Sequence, residues 1–412
     1  IMRKDMAVRP YSGIRVLDLT KELGAYAARL FADLGAEVIR IEDKDGRNGR
    51  LRPPLVSGRE QGSQAGVGHA FLNVNKKSIV LDVCAPSGKA VLRDLVATAQ
   101  IVFIEPDAYR GDSDGSAAGF TLADFIHVPG SRILTSISYF GLTGPYSHFV
   151  GTDLIAQALG GIAWLSGEPD KPPLQLAGQQ SIFVASLYAA TATAIALWES
   201  EASGQSHVLD VSAQEAIAHS LQNAVQVYDL EKRISSRGGE GVRDATEAAF
   251  ACKDGYVFLA APLALPASWN GIRAWMEEEA FPDVARLNEL DWANRSKRCT
   301  AAMRQEFKTI FERFIANKTK QEMRDNALKR KLVMAPVSTL ADLQADPQLI
   351  YRQYFQSVEK TQEGSAAIFP GAPYRLSEPL WSIERAAPTL GEDQDHVLAQ
   401  VSSRPHISGG KY

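Results

Sequence analysis

The chain has 412 residues, of which 45% are hydrophobic and 22% are charged, and its formal net charge is −4. This length predicts roughly two or three domains, and the slightly acidic balance argues against a nucleic-acid partner or an anionic membrane held by bulk charge. Its three cysteines, Cys84, Cys252 and Cys299, lie far apart in the sequence. We therefore expect neither a disulfide framework nor a metal site, and a reducing cytoplasm as the setting.

The first part of the chain alternates predicted strands and helices. Apolar runs predict strands at 14–19 and 37–42, with a helix at 25–34 between them that ends at Gly35. This strand–helix–strand pattern is typical of the opening of a parallel sheet. Its first turn contains one glycine and does not match GxGxxG, so we expect no dinucleotide there. Further strands are predicted at 78–82, 101–104, 132–138 and 207–211, and a helix from Pro86 onward.

The stretch 182–198, IFVASLYAATATAIALW, carries no charge and is almost long enough to cross a membrane. Its high content of Ala, Ser and Thr and its lack of basic flanks favour a helix buried in the core of a large domain. We therefore expect no membrane partner. After a short strand, an amphipathic helix is predicted at 214–232.

The fold class predicted is α/β, with a Rossmann-like parallel-sheet domain and a smaller α+β domain. Residues 1–225 form the first part of the large domain, 226–334 form the small domain, and 335–412 return to complete the large domain. The small domain is distinguished by a strand at 252–261, several charged helices, and little parallel-sheet pattern. These charged helices are predicted at 275–279, 304–317 and 320–331.

The candidate chemistry lies in the stretch 136–161, which leaves the end of a buried strand, passes through a Gly/Pro loop and enters an apolar helix. Thr152 suits the N-cap of this helix, which places Asp153 in its first turn. A single carboxylate at such a position is often no more than part of a helix cap. The pattern alone therefore leaves a structural role for Asp153 open.

The pattern TGPYxxxxGxDxxxQAxxG in this stretch resembles the signature of the class III CoA-transferases, a group that includes formyl-CoA transferase, carnitine CoA-transferase and the α-methylacyl-CoA racemases. The resemblance implies that Asp153 is the catalytic nucleophile and that coenzyme A and acyl-CoA are substrates, with no tightly bound cofactor and no metal. It also implies an interlinked homodimer. Similar blocks occur, in the family's order, at 13–42, 73–82, 203–212, 252–256 and 371–380.

The resemblance also implies where coenzyme A is bound. In the family, the turn after the first strand often reads Gln-Ala-Gly-Pro, and here the sequence from Leu23 is Leu-Gly-Ala-Tyr. The family's Glu-Asn-Phe is reduced to Glu105-Pro106. A glycine loop over the catalytic carboxylate corresponds to Gly238, Gly239 and Gly241, for which a plain linker between domains is the alternative. The implied contacts of coenzyme A are Leu23, Gly24, Leu81, Glu105, Pro106 and Tyr139.

We therefore expect an enzyme that transfers CoA between an acyl-CoA and a free carboxylic acid, through an aspartyl mixed anhydride and an enzyme thioester. One alternative is a catalytically weak subunit that binds acyl-CoA in a heteromeric transferase, because the CoA turn is altered. Another is a 2-methylacyl-CoA racemase, which in this family has His before the Asp and a second Asp about thirty residues on, as a proton pair. Those positions are Thr152 and Ile182, which cannot exchange a proton near neutral pH.

Overall fold

The computed structural model describes residues 8–44, 49–50, 66–106, 133–168, 170–221, 224–237, 243–358 and 367–402. They form two compact units. The large unit contains the described residues of Ile1–Gly167, Lys171–Gln226 and Arg352–Tyr412, and the small unit those of Glu168–Asp170 and Val227–Tyr351. The small unit extends to Tyr351, and the small domain predicted from the sequence covers 226–334.

A six-stranded parallel sheet forms the centre of the large unit. Its strands are β1 (Arg15–Leu19), β2 (Glu37–Glu42), β3 (Lys77–Val80), β4 (Ile101–Ile104), β5 (Ile133–Ser138) and β6 (His207–Ser212). They lie in the order β3-β2-β1-β4-β5-β6. The order reverses between β1 and β4, and in open α/β sheets ligands bind in the crevice outside the carboxyl ends of the strands at such a point.

Helices alternate with these strands, and the alternation predicted for the first part of the chain is confirmed. The helices are α1 (Ala25–Asp33), α2 (Val67–Leu72), α3 (Pro86–Val96), α4 (Asp153–Leu159), α5 (Ile162–Leu165), α6 (Gln180–Ser203), α7 (Ala213–His219) and α8 (Ala224–Glu231), of which α8 contains the boundary between the two units. The single helix predicted at 214–232 is wrong, because α7 ends at His219, with Ser220 as its C-cap. There the Ser220 hydroxyl donates to the carbonyl of Ile217 at 2.7 Å.

Helix α6 is apolar and long enough to cross a membrane by length and composition, and one of its faces packs into the core. One face lies in the main apolar cluster of the large unit, with Ile182, Ala185 and Ala189 fully or almost fully buried. Hydroxyl groups on the same face are also buried and find partners, as when Thr193 bonds Thr135 of β5 at 2.7 Å. The prediction of a helix buried in a large domain describes this face correctly.

The small unit is built around an antiparallel three-stranded sheet of β7 (Ala248–Cys252), β8 (Gly255–Ala260) and β9 (Val333–Pro336). The single strand predicted at 252–261 is instead part of a hairpin that turns between Cys252 and Gly255. Its helices are α9 (Pro266–Glu278), α10 (Val284–Leu287), α11 (Arg295–Arg298), α12 (Ala301–Ile315), α13 (Lys320–Arg330), α14 (Leu340–Gln344) and α15 (Pro347–Tyr351), with a 3₁₀ turn at Leu290–Ala293.

The C-terminal segment of the large unit covers the β3 edge of the sheet. It consists of a hairpin, β10 (Phe355–Val358) and β11 (Ala367–Pro370), and helix α16 (Gln394–Ser402). The main-chain N–H groups of Ser78 and Val80 donate to the side chains of Asp393 and Gln394 at 2.9 and 2.7 Å. These side chains satisfy donors that an edge strand would otherwise leave unpaired.

A buried cluster of charges ties β1, β2 and the segment before β3 together. Asp18 on β1 accepts from Lys76 Nζ at 2.8 Å and from Arg40 Nη1 at 3.1 Å, and all three side chains are fully buried. Lys76 also donates to the carbonyl of Ala25 at 2.8 Å. Burial alone would raise the pKa of Asp18, but the two cations outweigh burial and lower that pKa.

We expect the Lys76→Met substitution to lower the free energy of unfolding by about 3 kcal/mol, because it leaves the buried Asp18 carboxylate with one cation instead of two. Urea denaturation measures this change. The neighbouring lysine is the control: Lys77 pairs with Glu37 at 2.6 Å on a partly exposed surface, and Lys77→Met should cost at most about 0.5 kcal/mol. Equal losses in the free energy of unfolding of the two variants would show that the buried cluster stabilises the protein no more than the partly exposed pair does.

Candidate active site

Asp153 stands at the start of α4, in the chain segment that follows the carboxyl end of β5. The hydroxyl of Thr152 accepts from the main-chain N–H of Ile155 at 3.3 Å, so the prediction that Thr152 is the N-cap is confirmed. The Asp153 side chain is buried, with 6% of its surface exposed. A carboxylate with so little contact with water needs hydrogen-bond donors from the protein.

Four hydrogen bonds hold the two oxygens of Asp153. The main-chain N–H and the hydroxyl of Ser181 donate to Oδ1 at 2.9 and 2.6 Å. The side-chain amides of Gln157 and Gln175 donate to Oδ2, each at 2.8 Å. All four donors are electrically neutral, and among the residues that the structure describes no cation forms an ion pair with this carboxylate.

These donors come from three parts of the chain. Gln157 lies one turn after Asp153 on α4, Gln175 precedes α6, and Ser181 is in the first turn of α6. None of these three donors is among the site residues predicted from the sequence. The signature pattern contains Gln157 and could have suggested it, whereas no pattern marks Gln175 or Ser181, which reach Asp153 through the fold alone.

The positions of a racemase proton pair are occupied by groups with structural roles. The Thr152 hydroxyl caps α4, as described above, and Ile182 is 2% exposed in the main apolar cluster. Among the described residues, no group of three or more His, Cys, Asp or Glu side chains is arranged to hold a metal ion.

Tyr139, one of the predicted CoA contacts, lies against the glycine that precedes the active-site helix. A Cβ atom added at Gly151 would lie 2.1 Å from Cγ of Tyr139 and 2.2 Å from its Cβ. Tyr139 cannot yield easily, because its ring packs against the main apolar cluster and its carbonyl accepts from Gln214 N at 3.0 Å. The glycine therefore permits the close approach that sets the path of the chain into Asp153.

We expect Gly151→Ala to reduce activity by about 100-fold, because the added methyl group displaces the segment that positions Asp153, and small displacements of reacting groups have effects of this size. Steady-state kinetics and thermal unfolding measure the two consequences. Gly68→Ala is the matched control, since a Cβ atom at Gly68 meets nothing within 4 Å. A Gly151→Ala enzyme with wild-type activity would show that this contact does not position the carboxylate.

The Glu105 side chain binds the main chain of the turn after β1. The Glu105 carboxylate is buried, and its Oε2 accepts the successive main-chain N–H groups of Lys21, Glu22 and Leu23 at 2.7, 2.9 and 3.0 Å. In many nucleotide-binding proteins the N–H groups of such a turn face a phosphate. In this chain they face a carboxylate of the protein itself.

Leu23 and Gly24, in the same turn, are packed into the protein. The Leu23 side chain is fully buried, and its carbonyl accepts from the Ser186 hydroxyl of α6 at 2.7 Å. A Cβ atom at Gly24 would lie 2.5 Å from Cδ1 of Ile137 on β5. The absence of a side chain at Gly24 therefore allows the turn to approach β5 closely.

Leu81 and Pro106 are the remaining predicted CoA contacts that the structure describes. Leu81 follows β3 and packs, partly buried, against the apolar cluster beneath that end of the sheet. Pro106 follows Glu105 and is partly buried. Among the described residues, no hydrogen bond joins either of them to Asp153. Gly238, Gly239 and Gly241 lie outside the described residues.

Comparison with known proteins identifies the family. The sequence profile of CoA-transferase family III matches residues 11–394. The chain is 32% identical over 391 residues to the succinyl-CoA:(R)-benzylsuccinate CoA-transferase subunit BbsE of Thauera aromatica, covering 95% of this chain and 94% of that protein. It is 26% identical over 405 residues to the succinate–glutarate CoA-transferase of Agrobacterium fabrum, covering 96% of each.

The fold also occurs in a solved structure. The crystal structure of a CAIB/BAIF family protein from Brucella suis superposes with a TM-score of 0.83 at 24% identity, over 95% of this chain and 99% of that one. The chain belongs to CoA-transferase family III, as the resemblance in its sequence indicates. It is a CoA-transferase, an enzyme class that moves CoA between acyl-CoA thioesters and carboxylic acids.

Proposed function

We propose that Asp153 is the nucleophile of this CoA transfer. A carboxylate oxygen of Asp153 attacks the carbonyl carbon of the acyl-CoA, the carbon–sulfur bond breaks, and the CoA thiolate leaves a mixed anhydride on the enzyme. The thiolate then attacks the Asp153 carbonyl carbon, which releases the donor acid and leaves CoA as a thioester on Asp153. The acceptor carboxylate reverses these two steps, and Asp153 is regenerated.

The observation that supports this proposal is the set of four neutral donors around a buried carboxylate in a member of this family. Neutral donors orient the carboxylate and compensate for its lost hydration, and these four do not neutralise its charge as a cation would. Each attacking group in the cycle is already an anion, so no general base is required. The Thr152 and Ile182 side chains at the racemase positions argue against α-proton exchange as the main activity.

We further propose that CoA lies along the carboxyl ends of the parallel strands, where Leu23, Gly24, Leu81, Glu105, Pro106 and Tyr139 are found. The turn after β1 and the residues after β4 flank the point at which the strand order reverses. Gly238, Gly239 and Gly241 are proposed as the glycine loop of the site. The names of both relatives described above include succinyl-CoA or succinate, so we propose a succinyl group as the donor acyl group.

Asp153→Ala and Asp153→Asn should each lower transferase activity by about 10,000-fold, because the carboxylate is a reactant in the proposed cycle. Intact-mass measurement after incubation with succinyl-CoA should show a CoA thioester on the wild-type protein and none on either variant. Glu201→Gln, which changes an exposed carboxylate on α6, is the control and should retain both activity and adduct. Comparable turnover in Asp153→Ala would exclude the nucleophile role.

A partner subunit is suggested by exposed apolar side chains on the large unit. On α6, Ile195 is 62% exposed and Trp198 is 78% exposed, and on α4 Leu154 is 53% exposed. Ile195 and Trp198 lie three residues apart on one face of α6, and a contiguous exposed apolar patch is typical of a protein–protein interface. We propose that a second copy of this chain covers it in a homodimer. A heteromer with a different subunit is the alternative, because the name of the Thauera relative describes a subunit.

The purified chain should sediment as a dimer at micromolar concentration and should transfer CoA without another protein. Replacing both Ile195 and Trp198 with Glu should reduce the fraction of the chain recovered as dimer after unfolding and refolding, because the two charges would have to be buried when the interlinked chains assemble. Analytical ultracentrifugation measures this, with Glu201→Gln again as the control. A monomer that becomes active only with a second, different chain would support the heteromer and contradict the homodimer.

A further inference from the structure

The two glutamines that share Oδ2 of Asp153 are held in different ways. Gln157 is fully buried, and both ends of its amide are tied to Leu176: its Oε1 accepts from Leu176 N at 2.9 Å, and its Nε2 donates to Leu176 O at 3.3 Å. Gln175 is exposed. Within the described part of the chain, its side chain makes one hydrogen bond, to Asp153 Oδ2 at 2.8 Å.

The two oxygens of Asp153 also differ in how firmly their hydrogen-bond donors are held. Oδ1 is bound by the main-chain N–H and the hydroxyl of Ser181, which is fully buried at the start of α6. That N–H group can leave Oδ1 only if the end of the helix moves. The Gln175 amide can leave Oδ2 by rotation about its own side-chain bonds. Oδ2 is therefore the oxygen whose lone pair can be released for attack while Oδ1 keeps the carboxylate in place.

A donor that leaves Oδ2 is already close to the thioester carbonyl oxygen, on which negative charge develops during the attack. When Oδ2 bonds to the thioester carbonyl carbon, the carbonyl oxygen becomes an oxyanion attached to that same carbon, next to Oδ2. Hydrogen-bond donors that meet the developing oxyanion are among the largest contributors to acyl-transfer rates. Because this oxygen and Oδ2 are then bonded to the same carbon atom, rotation about the Gln175 side-chain bonds can redirect the amide N–H group toward it.

We propose that Gln175 is a second catalytic residue, which releases Oδ2 of Asp153 and donates a hydrogen bond to the oxyanion that forms on the thioester carbonyl. The proposal rests on Asp153 as the nucleophile. In the step, the bond from Oδ2 to the carbonyl carbon forms and the carbonyl π electrons move to oxygen. Collapse of the oxyanion then breaks the carbon–sulfur bond and releases the CoA thiolate. Gln175 gives up no proton.

A neutral amide suits this role better than a cation would. An arginine or lysine at this position would form a charge-assisted bond to Asp153, which is roughly twice as strong as a neutral one and would bind the attacking lone pair more tightly. Glutamine also offers several rotatable bonds between its backbone and its amide. Both properties favour exchange of its hydrogen bond between Oδ2 and a substrate oxygen.

The test compares Gln175→Met, which keeps the approximate length of the side chain and removes the donor, with Gln175→Asn, which keeps the donor on a shorter side chain. Gln180→Met is the control, because the Gln180 amide donates to Ala177 O at 2.7 Å and makes no bond to Asp153. We expect Gln175→Met to lower kcat by about 100-fold with little change in KM, which is the size of effect seen when one oxyanion donor is lost. Gln175→Asn should recover part of the loss, and Gln180→Met should behave as wild type.

Rapid-quench mass spectrometry separates this inference from the proposed function. Wild type should form the Asp153–CoA adduct quickly, and Gln175→Met should form the same adduct more slowly by the factor measured in kcat. An adduct formed at the wild-type rate by Gln175→Met, or a change confined to KM, would overturn the role of Gln175 and leave Asp153 as the nucleophile. Failure of the wild-type enzyme to form any adduct would refute the proposed function itself.

Discussion

The contact between Ser181 and Asp153 is the interaction on which the site depends. It joins the first turn of α6 to the first turn of α4 through a main-chain N–H group and a hydroxyl, both on Oδ1. The position of this bond is fixed further along α6, where Ser186 donates to the carbonyl of Leu23 and Thr193 bonds Thr135 of β5. One helix therefore connects the carboxylate, the turn after β1 and the central sheet.

The polar groups in these contacts need hydrogen-bond partners because they are buried. A carboxylate that is 6% exposed is costly without partners, and an unbonded hydroxyl on the buried face of α6 would also be costly. The polar residues that interrupt this apolar helix thus place it on the sheet, and Ser181 in its first turn orients the Asp153 carboxylate. The same constraint acts at Glu105, whose buried Oε2 is satisfied by three successive N–H groups of the turn after β1.

Local patterns in the sequence predicted much of this arrangement. The spacing of apolar residues predicted the β1–α1–β2 unit, and Thr152 was recognisable as the cap that places Asp153 in the first turn of α4. The helix break at Ser220 was missed, because apolar periodicity continues beyond it. The hairpin after Cys252 was missed because a two-residue turn lies inside a run with strand character.

The surroundings of Asp153 were harder to predict, for a physical reason. Gln175 and Ser181 lie 22 and 28 residues beyond Asp153 in the sequence, and only the packing of α6 brings them to it. Leu23 and Gly24 were predicted correctly as parts of the turn after β1. Their side-chain environment, with Leu23 fully buried and Gly24 pressed against Ile137, follows from the close approach of that turn to β5 and α6.

Transfer of an oxygen isotope tests the central claim most directly. In the proposed cycle, one oxygen of the acceptor acid bonds to the Asp153 carbonyl carbon and stays there when the thiolate leaves with the acyl group. After turnover with an acceptor acid labelled with oxygen-18 in its carboxylate, the peptide that contains Asp153 should carry the label. Formation of the new acyl-CoA without label in Asp153 would contradict a covalent role for this residue.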